Sequence, residues 1–287
     1  MKQRTIGDVS VSAIGLGAMP MSIEGRPERQ RSIATIHAAL DAGVTLIDTA
    51  DAYHLYADEV GHNETLIAEA LASYGSDTSG VLVATKGGHL RPGDGSWTQD
   101  GRPDHLKRAA EASLKRLGVE AIGLYQFHRP DPRTPYAESI GAIRDLLDDG
   151  KIRMVGISNA SPAQIRQAQE VLGGRLVSVQ NQYSPAFRSS RPELDLCTEL
   201  GLAFLPWAPL GGSRSAGGLG TRHTPFQQVA TARGVSPQQV CLAWMLATSP
   251  IMIPIPGSSR PETARDSAAA VDLVLTDDEL VTLNAGR

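Results

Sequence analysis

The stretch GVTLIDTADAY, residues 43–53, shows the pattern that decides the fold: a short apolar run, a polar residue at its end, and then a loop. The run is apolar on both faces, which is typical of a parallel strand covered by helices. The same pattern recurs along the chain. The eight runs are AIGLG (13–17), VTLID (44–48), VLVAT (81–85), IGLYQF (122–127), RMVGIS (153–158), LVSVQ (176–180), LAFLPW (202–207) and IMIPI (251–255).

Amphipathic stretches separate these runs; Leu106, Ala110 and Leu114, for example, recur at helical spacing. Eight strand–helix alternations favour an α/β fold of the (β/α)8 TIM-barrel type over an open doubly wound sheet. A doubly wound dinucleotide-binding fold is also disfavoured because no Gly-x-Gly-x-x-Gly sequence opens a helix. We therefore expect a single barrel domain over residues 1–287.

Additions to the barrel are predicted at both ends of the chain. Alternating residues on either side of Gly7-Asp8 predict an N-terminal β-hairpin. The segment Thr276-Asp277-Asp278-Glu279 has the form of a capping box and predicts a short C-terminal helix. Two stretches, residues 87–103 and 211–225, are predicted to be long loops over the barrel mouth.

Composition excludes several classes of function. The chain has 27 Lys and Arg against 31 Asp and Glu, a net charge of −4, without the clustered basic face that nucleic-acid binding needs. No apolar run reaches the length that crosses a membrane, and the N-terminus lacks the apolar core of a signal peptide. Cys197 and Cys241 have no disulfide or metal spacing. We expect a cytoplasmic protein without a membrane or nucleic-acid partner.

Four ionisable residues lie at or just after the ends of predicted strands: Asp48, Tyr53, Lys86 and His128. In a barrel, such positions meet at one mouth. A free phenol, with a pKa of about 10, is a poor proton donor to a carbonyl at neutral pH. A nearby Lys ammonium is expected to lower that pKa, an Asp to hold the Lys in place, and a His to orient the substrate oxygen.

Each of the four also has an ordinary structural explanation. Asp48 could cap a turn, Tyr53 could pack on the rim, Lys86 could be a surface residue and His128 a buried imidazole. Their shared position at one predicted mouth favours catalysis. Lys86 leaves a second chemistry open, because a lysine in a barrel can form a Schiff base, as in an aldolase.

The chain resembles the aldo-keto reductase family. The matching segments occur in the family's order over nearly the whole chain. They are IGLGAM, DAGVTLIDTADAY, VLVATKGG, LKRLGVEAIGLYQFHRPDP, GKIRMVGISNASPAQI, VSVQNQYSP, FLPWAPLGG and PIPGSSRPE. The resemblance implies a TIM barrel, a catalytic tetrad of Asp48, Tyr53, Lys86 and His128, and Tyr53 as the general acid. It also implies a monomer that uses NADPH, with NADH less favoured, to reduce a small-molecule carbonyl compound.

The resemblance implies cofactor contacts segment by segment. The nicotinamide carboxamide would be held at the ends of the fifth and sixth strands, the ring by an aromatic stack, the pyrophosphate by a glycine-rich loop, and the adenosine 2′-phosphate after the eighth strand. The residues at these positions and beside them are Met19, Ser158, Asn159, Gln180, Trp207, Leu210, Gly211, Ser213, Gly257, Ser258, Arg260 and Asp266.

The sequence departs from the family pattern in places that affect the cofactor. Gly257 occupies a position that is Lys in some members, and Asp266 and Ser267 replace a Glu-Asn pair that commonly contacts adenine. A binding module that holds NADPH with little turnover is a further alternative to the reductase. The loop after Tyr53, with His54, and Trp97 are expected to shape the substrate pocket.

Overall fold

A ring of parallel strands forms the centre of the computed structural model, which describes residues 1–212 and 215–285. Seven strands form one sheet in the order β11-β10-β9-β8-β5-β4-β3, and all their pairings are parallel. The strands, numbered in chain order, are β1 (Gln3–Ile6), β2 (Val9–Ser12), β3 (Leu16–Gly17), β4 (Leu46–Asp48), β5 (Leu82–Gly87), β6 (His89–Leu90), β7 (Thr98–Gln99), β8 (Ile122–Phe127), β9 (Ile152–Ser158), β10 (Leu176–Gln180) and β11 (Ala203–Phe204).

Helices surround this sheet, and α10 packs against both α9 and α1. Short 3₁₀ helices cover Met19–Met21, Ala57–Glu59, Ala216–Gly218 and Ala270–Asp272. The α-helices are α1 (Arg29–Asp41), α2 (His62–Ala72), α3 (Pro103–Leu117), α4 (Tyr136–Asp148), α5 (Pro162–Val171), α6 (Arg191–Leu200), α7 (Leu219–Arg222), α8 (Thr224–Arg233), α9 (Pro237–Thr248), α10 (Pro261–Ala269) and α11 (Asp277–Ala285).

The segment 251–257 completes the ring by bonding to both edges of the seven-stranded sheet. On the β11 side the backbone N–H of Ile253 donates to the carbonyl of Phe204 at 2.8 Å. On the β3 side Gly17 donates to the carbonyl of Pro256 at 2.9 Å, and a parallel bridge joins Gly17 to Gly257. The predicted eight-membered TIM barrel is thus confirmed.

The eighth segment is nevertheless not a regular strand, for a reason that is visible in its sequence. Pro254 and Pro256 face β3, and proline has no N–H to donate to a neighbouring strand. Their carbonyls still accept hydrogen bonds from Gly15 and Gly17. At both prolines the β3 side therefore donates and the eighth segment only accepts. The first donation in the other direction comes from Ser258 to the carbonyl of Gly17, at 3.3 Å.

The predicted N-terminal hairpin is confirmed, with β1 paired to β2 and Gly7 in the turn at φ +58°. Its side chains Ile6 and Val11 are fully buried and pack with inward residues of the barrel, among them Leu46 and Leu124. Arg4 ties the hairpin to the end of α9 through the carbonyls of Leu246 and Ser249, and to the eighth segment through that of Met252. The hairpin therefore closes the N-terminal end of the barrel and leaves the other mouth for chemistry.

The two stretches predicted as long loops contain more regular structure than expected. Residues 87–103 include the small β6–β7 hairpin, in which His89 pairs with Gln99. Residues 211–225 include a 3₁₀ turn, the whole of α7 and the start of α8. The prediction of an unbroken loop over 211–225 was therefore wrong, because Leu219 is buried against the core and stabilises a helical turn despite its glycine neighbours.

Helix termini agree with the sequence. Ser161 and Gln164 form a capping box at α5, and Thr276 and Glu279 exchange hydrogen bonds at the start of α11, which confirms the predicted C-terminal helix. In the part of the chain that the structure describes, no helix is long and apolar enough to cross a membrane.

Closure of the barrel predicts a strong effect of Gly17→Ala. A Cβ at this position would lie 2.8 Å from the carbonyl oxygen of Ile255, so the β3 edge and the eighth segment must separate. We expect a loss of roughly 1–3 kcal/mol in the free energy of unfolding, measured by urea denaturation. The control is Gly141→Ala in α4, where nothing lies within 4 Å of the added Cβ. It should be neutral or stabilising by up to ~1 kcal/mol; equal effects would contradict the close approach at Gly17.

Candidate active site

Lys86, near the end of β5, lies at the centre of the open mouth with a fully buried side chain. Its Nζ donates to Asp48 Oδ2 at 2.8 Å, to the carbonyl of Thr49 at 2.7 Å and to the phenol oxygen of Tyr53 at 3.2 Å. An ammonium has three N–H groups, so all three are used. The structure thus brings together three of the four residues predicted to be catalytic.

Burial and neighbouring charges shift the pKa values of Lys86 and Tyr53 in opposite directions. Burial lowers the pKa of Lys86, but the charge of Asp48 and the phenol of Tyr53 outweigh it, so the net shift is upward. Burial raises the pKa of Tyr53, and the nearby ammonium opposes this shift without reversing it. The expectation that Lys86 would leave Tyr53 with a lowered pKa was therefore wrong in its net sign, because loss of hydration outweighs the attraction.

Asp48 is itself fixed by two amides, from β8 and from β10, that reach it inside the barrel. Gln180 Nε2 donates to Asp48 Oδ1 at 2.7 Å, and Gln126 Nε2 approaches the same oxygen at 3.4 Å. Gln126 was not identified from the sequence. The available signal was a polar residue in an apolar strand, two positions before His128; residues two apart in an extended chain point the same way.

His128 meets Tyr53 edge to face, with 5.7 Å between the ring centroids and an interplanar angle of 84°. Burial lowers its pKa well below the ordinary value, and the positive charges of Lys86 and Arg129 add to the shift. The imidazole is therefore neutral near pH 7. Its Nδ1 is buried and has no hydrogen-bond partner among the described residues.

A second layer of side chains packs behind His128. The ring of His89 lies edge-on to His128 at 4.8 Å and stacks on Trp97 at 4.7 Å. Arg91 covers Trp97, with 4.8 Å from its Cζ to the ring centroid, and pairs with Glu24. Trp97 was expected beside the pocket, whereas His89 and Arg91 were missed because their contacts arise only when the β6–β7 hairpin folds over the mouth.

The loop after Tyr53 lies against the same layer. His54 is buried, its Nδ1 lies 2.7 Å from the carbonyl of Tyr56, and its own carbonyl accepts from Arg91 at 2.5 Å. These contacts agree with the expected position of His54 in the wall of the substrate pocket. Met19 lies in the 3₁₀ turn after β3 and is half-buried.

Ser158 and Asn159 end β9 on the side of the mouth. Asn159 has φ +56°, in the left-handed region, and its Nδ2 donates to the carbonyl of His128 at 2.9 Å. Its Oδ1 accepts from Arg129 at 3.2 Å, and Ser158 Oγ donates to the carbonyl of Gln180 at 2.7 Å. This turn brings the polar ends of β8, β9 and β10 together.

The remaining predicted cofactor positions follow β10 and β11. Trp207 forms a parallel bridge with Gln182, and its buried Nε1 lacks an acceptor within the described ranges. Leu210 is buried, and Gly211 has φ +87°. Ser213 lies outside the described residues.

The start of α10 carries the positions predicted to meet the adenosine end. Gly257 is exposed beside Pro20, and Arg260 is exposed at the N-cap of α10. Ser258 is buried, and its hydroxyl contacts the carbonyl of Arg260 at 3.0 Å and the hydroxyl of Thr263 at 2.5 Å.

Asp266 connects α10 to the neighbouring helix. One carboxylate oxygen accepts from Ser236 at 2.7 Å and the other from Gln239 at 2.6 Å, both at the N-terminus of α9. Both oxygens thus have partners in the fold. The predicted adenine contact of Asp266 stays a prediction.

The arrangement fits proton donation better than imine formation. A Schiff-base lysine must lose its proton to attack a carbonyl carbon. Lys86 instead has a raised pKa and uses all three N–H groups on Asp48, Thr49 and Tyr53. The Lys86 aldolase alternative is therefore disfavoured.

Comparison with known proteins agrees with this geometry. Residues 13–285 match the profile of the Aldo/keto reductase family. The chain is 33% identical over 283 residues to an uncharacterised oxidoreductase of Schizosaccharomyces pombe, covering 97% of this chain and 88% of the relative. It is 32% identical over 295 residues to pyridoxine 4-dehydrogenase of Escherichia coli K12, covering 98% and 96%.

Solved structures show the same likeness. A glycerol dehydrogenase of Gluconobacter oxydans superimposes with a TM-score of 0.83 at 28% identity, covering 98% of this chain and 94% of that one. An aldo/keto reductase of Klebsiella pneumoniae, solved with NADP and acetate, gives 0.82 at 30% identity, covering 99% and 94%.

Burial of His89 predicts a pH dependence of stability. Burial, aided by the charges of Arg129 and Lys86, lowers its pKa from 6.5 to about 4. The unfolded chain therefore binds the proton first, and the stabilisation present above pH 6.5 is lost as the pH falls towards 4. His89→Asn should lose stability less steeply in that window, by up to ~1.4 kcal/mol per pH unit, in urea denaturation. If the stability of wild type and of His89→Asn fell equally with pH, the buried neutral state of His89 would be contradicted.

Proposed function

This chain belongs to the aldo/keto reductase family of oxidoreductases, and we propose that it reduces an aldehyde or ketone to an alcohol with NADPH as hydride donor. One observation carries the proposal: the buried ammonium of Lys86 donates to the phenol oxygen of Tyr53 while Asp48 balances its charge. The NADP complex of the Klebsiella pneumoniae relative supports the choice of cofactor.

Tyr53 is the proposed general acid. Its raised pKa keeps the phenol protonated, and Lys86 donates to the oxygen, so the phenol hydrogen remains to be given to a substrate oxygen. As that proton leaves, negative charge develops 3.2 Å from the ammonium. The attraction is thus stronger in the transition state than in the ground state, which is the condition for catalysis.

His128 is proposed to orient the substrate carbonyl. Because its imidazole is neutral near pH 7, it can donate one N–H without adding a charge beside Lys86. The centroid of its ring lies 5.7 Å from that of Tyr53, close enough for both residues to contact one substrate oxygen. Bound NADPH would supply the hydride for the carbonyl carbon.

The polar groups along the rim fit an extended dinucleotide. Asn159 is held by the carbonyl of His128 and Gln180 by the carboxylate of Asp48. With Ser158, these fixed polar groups suit recognition of the nicotinamide carboxamide. Trp207 offers an aromatic face and a buried N–H for the nicotinamide end of the dinucleotide. The positive φ of Gly211 suits a backbone that lies close to a pyrophosphate. The remaining proposed contacts are Met19, Leu210, Ser213, Gly257, Ser258, Arg260 and Asp266.

We further propose that the chain acts as a single-domain monomer in the cytoplasm, without a nucleic-acid or membrane partner. Cys197 and Cys241 are both free and buried, which agrees with a reducing compartment. Sedimentation at several protein concentrations would test the monomer; a concentration-dependent increase in mass would contradict it.

Tyr53→Phe tests the general acid. Removal of the hydroxyl leaves the ring and should lower kcat by about 10²–10⁴-fold, because no group remains to protonate the oxygen. NADPH affinity, measured by fluorescence titration, should be preserved. The control is Tyr56→Phe, since Tyr56 is 60% exposed and lies only three residues away. Equal losses of turnover and NADPH binding in Tyr53→Phe would contradict the role.

A panel of chemically distinct aldehydes and ketones separates the reductase from a binding module. We expect NADPH oxidation with at least one compound. NADPH binding without oxidation on any member of the panel would instead favour a sensor.

Arg260→Gln tests the predicted 2′-phosphate contact. Loss of an exposed guanidinium that meets a phosphate should raise the Kd for NADPH by roughly tenfold or more and leave the Kd for NADH unchanged. Arg265→Gln is the control, because Arg265 is an exposed arginine on the same helix α10. Equal increases in the Kd for NADPH in the two variants would contradict a direct contact and indicate only a long-range effect of positive charge.

A further inference from the structure

We propose that Arg129 makes this site selective for carbonyl substrates that carry a carboxylate or phosphate group. The inference rests on the proposed reductase function and adds a substrate class to it. It depends on where the guanidinium lies, on which of its atoms are unpaired, and on how the other charges of the mouth are balanced.

Arg129 follows His128 directly and lies between the catalytic mouth and the end of β9. Its Nη2 donates to Asn159 Oδ1 at 3.2 Å. Its charge contributes to lowering the pKa of both His89 and His128, behind burial, so it lies close to both imidazoles. The guanidinium therefore lies at the same mouth of the barrel as the proposed carbonyl position.

The other cations of the mouth are neutralised within the fold. Lys86 pairs with Asp48 at 2.8 Å, and Arg91 pairs with Glu24. Among the described residues, no carboxylate lies within 4 Å of the Arg129 guanidinium.

The nearest acid along the chain is already engaged. Asp131, two residues further on, pairs with Arg133 at 3.0 Å and accepts from the backbone N–H of Gly101 at 3.0 Å. Asp131 is thus directed away from Arg129, and the fold itself leaves this charge unbalanced.

The unbalanced guanidinium is also partly removed from water. Burial lowers the pKa of Arg129, and its Nε is buried with no hydrogen-bond partner in the described chain. A partly buried cation with an unused N–H is unfavourable until that N–H gains an acceptor, and an anion supplies both the acceptor and the balancing charge. A guanidinium presents its N–H groups as a planar fork that matches a carboxylate or phosphate. A substrate with such a group would supply the missing acceptor.

A purely structural role makes a different prediction. If Arg129 only held Asn159 in place, its loss would disturb the carboxamide end of the cofactor site. NADPH affinity would then fall, and all substrates would be affected equally. Charge recognition instead affects anionic substrates alone.

The test compares matched aldehydes. The probes are 3- and 4-carboxybenzaldehyde, their neutral methyl esters, and 4-formylphenyl phosphate beside 4-methoxybenzaldehyde. The position isomers vary the reach of the carboxylate, and the phosphate pair distinguishes the two anions. Steady-state NADPH oxidation gives kcat and KM for each, and fluorescence titration gives the Kd of NADPH.

Wild type should prefer at least one anionic member over its neutral partner, mainly through a lower KM. Arg129→Gln should lower kcat/KM for that anion by roughly 10–100-fold and leave the neutral partner and the NADPH Kd unchanged. Arg129→Lys, which keeps the charge without the fork, should recover part of the loss. Arg153→Gln is the control, because Arg153 is an exposed residue at the start of β9, at the opposite end of the barrel.

The other outcomes overturn the inference. Equal losses on anionic and neutral aldehydes together with a raised NADPH Kd would assign Arg129 to the support of Asn159. Wild-type reduction of the neutral aldehydes without any preference for an anion would overturn this inference and leave the proposed function intact. Failure of wild type to reduce these aldehydes and every compound of the wider aldehyde and ketone panel would overturn both.

Discussion

The burial of one ammonium constrains the whole mouth of the barrel. A charge removed from water is tolerated only when every N–H finds an acceptor and an opposite charge lies close by. For Lys86 the acceptors are Asp48, the carbonyl of Thr49 and the phenol of Tyr53. Loss of one partner from such a buried pair commonly destabilises by about 3–5 kcal/mol. The same constraint that stabilises this region thus fixes the geometry of the proposed catalysis.

The barrel satisfies that constraint because of its register. Asp48 pairs with Ala84 across β4 and β5, so Lys86 lies two residues further along and on the same face. Gln126 of β8 and Gln180 of β10 then reach Oδ1 of Asp48, the oxygen that Lys86 does not use. At the other end the β1–β2 hairpin fills the barrel with apolar side chains. The apolar closure of the barrel and the proposed chemistry therefore lie at opposite ends.

Burial shifts acids and bases in opposite directions, and the site uses both shifts. The pKa of Tyr53 rises, which keeps the phenol protonated, and the pKa of His128 falls, which keeps the imidazole uncharged. Both groups can therefore donate hydrogen bonds to one oxygen at neutral pH. Arg129 differs from them because no acidic side chain balances it in the described structure, and for this reason we connect it with the charge of the substrate.

The sequence by itself determined the barrel, its hairpin, its helix caps and the positions where the polar residues of the mouth come together. These features follow from local patterns: apolar runs of strand length, Ser-Pro and Thr-x-x-Glu helix starts, and ionisable residues at strand ends. Even the irregular eighth segment has a local cause in Pro254 and Pro256.

Only the tertiary structure decided that the pKa of Tyr53 is raised, that Gln126 and Gln180 hold Asp48, and that the charge of Arg129 is unbalanced. Each depends on the burial of a group and on its distance from residues remote in the chain. Asp48 and Gln180, for example, are separated by 132 positions and meet at 2.7 Å. Hydration loss and Coulomb attraction depend on such distances, which a linear pattern does not contain.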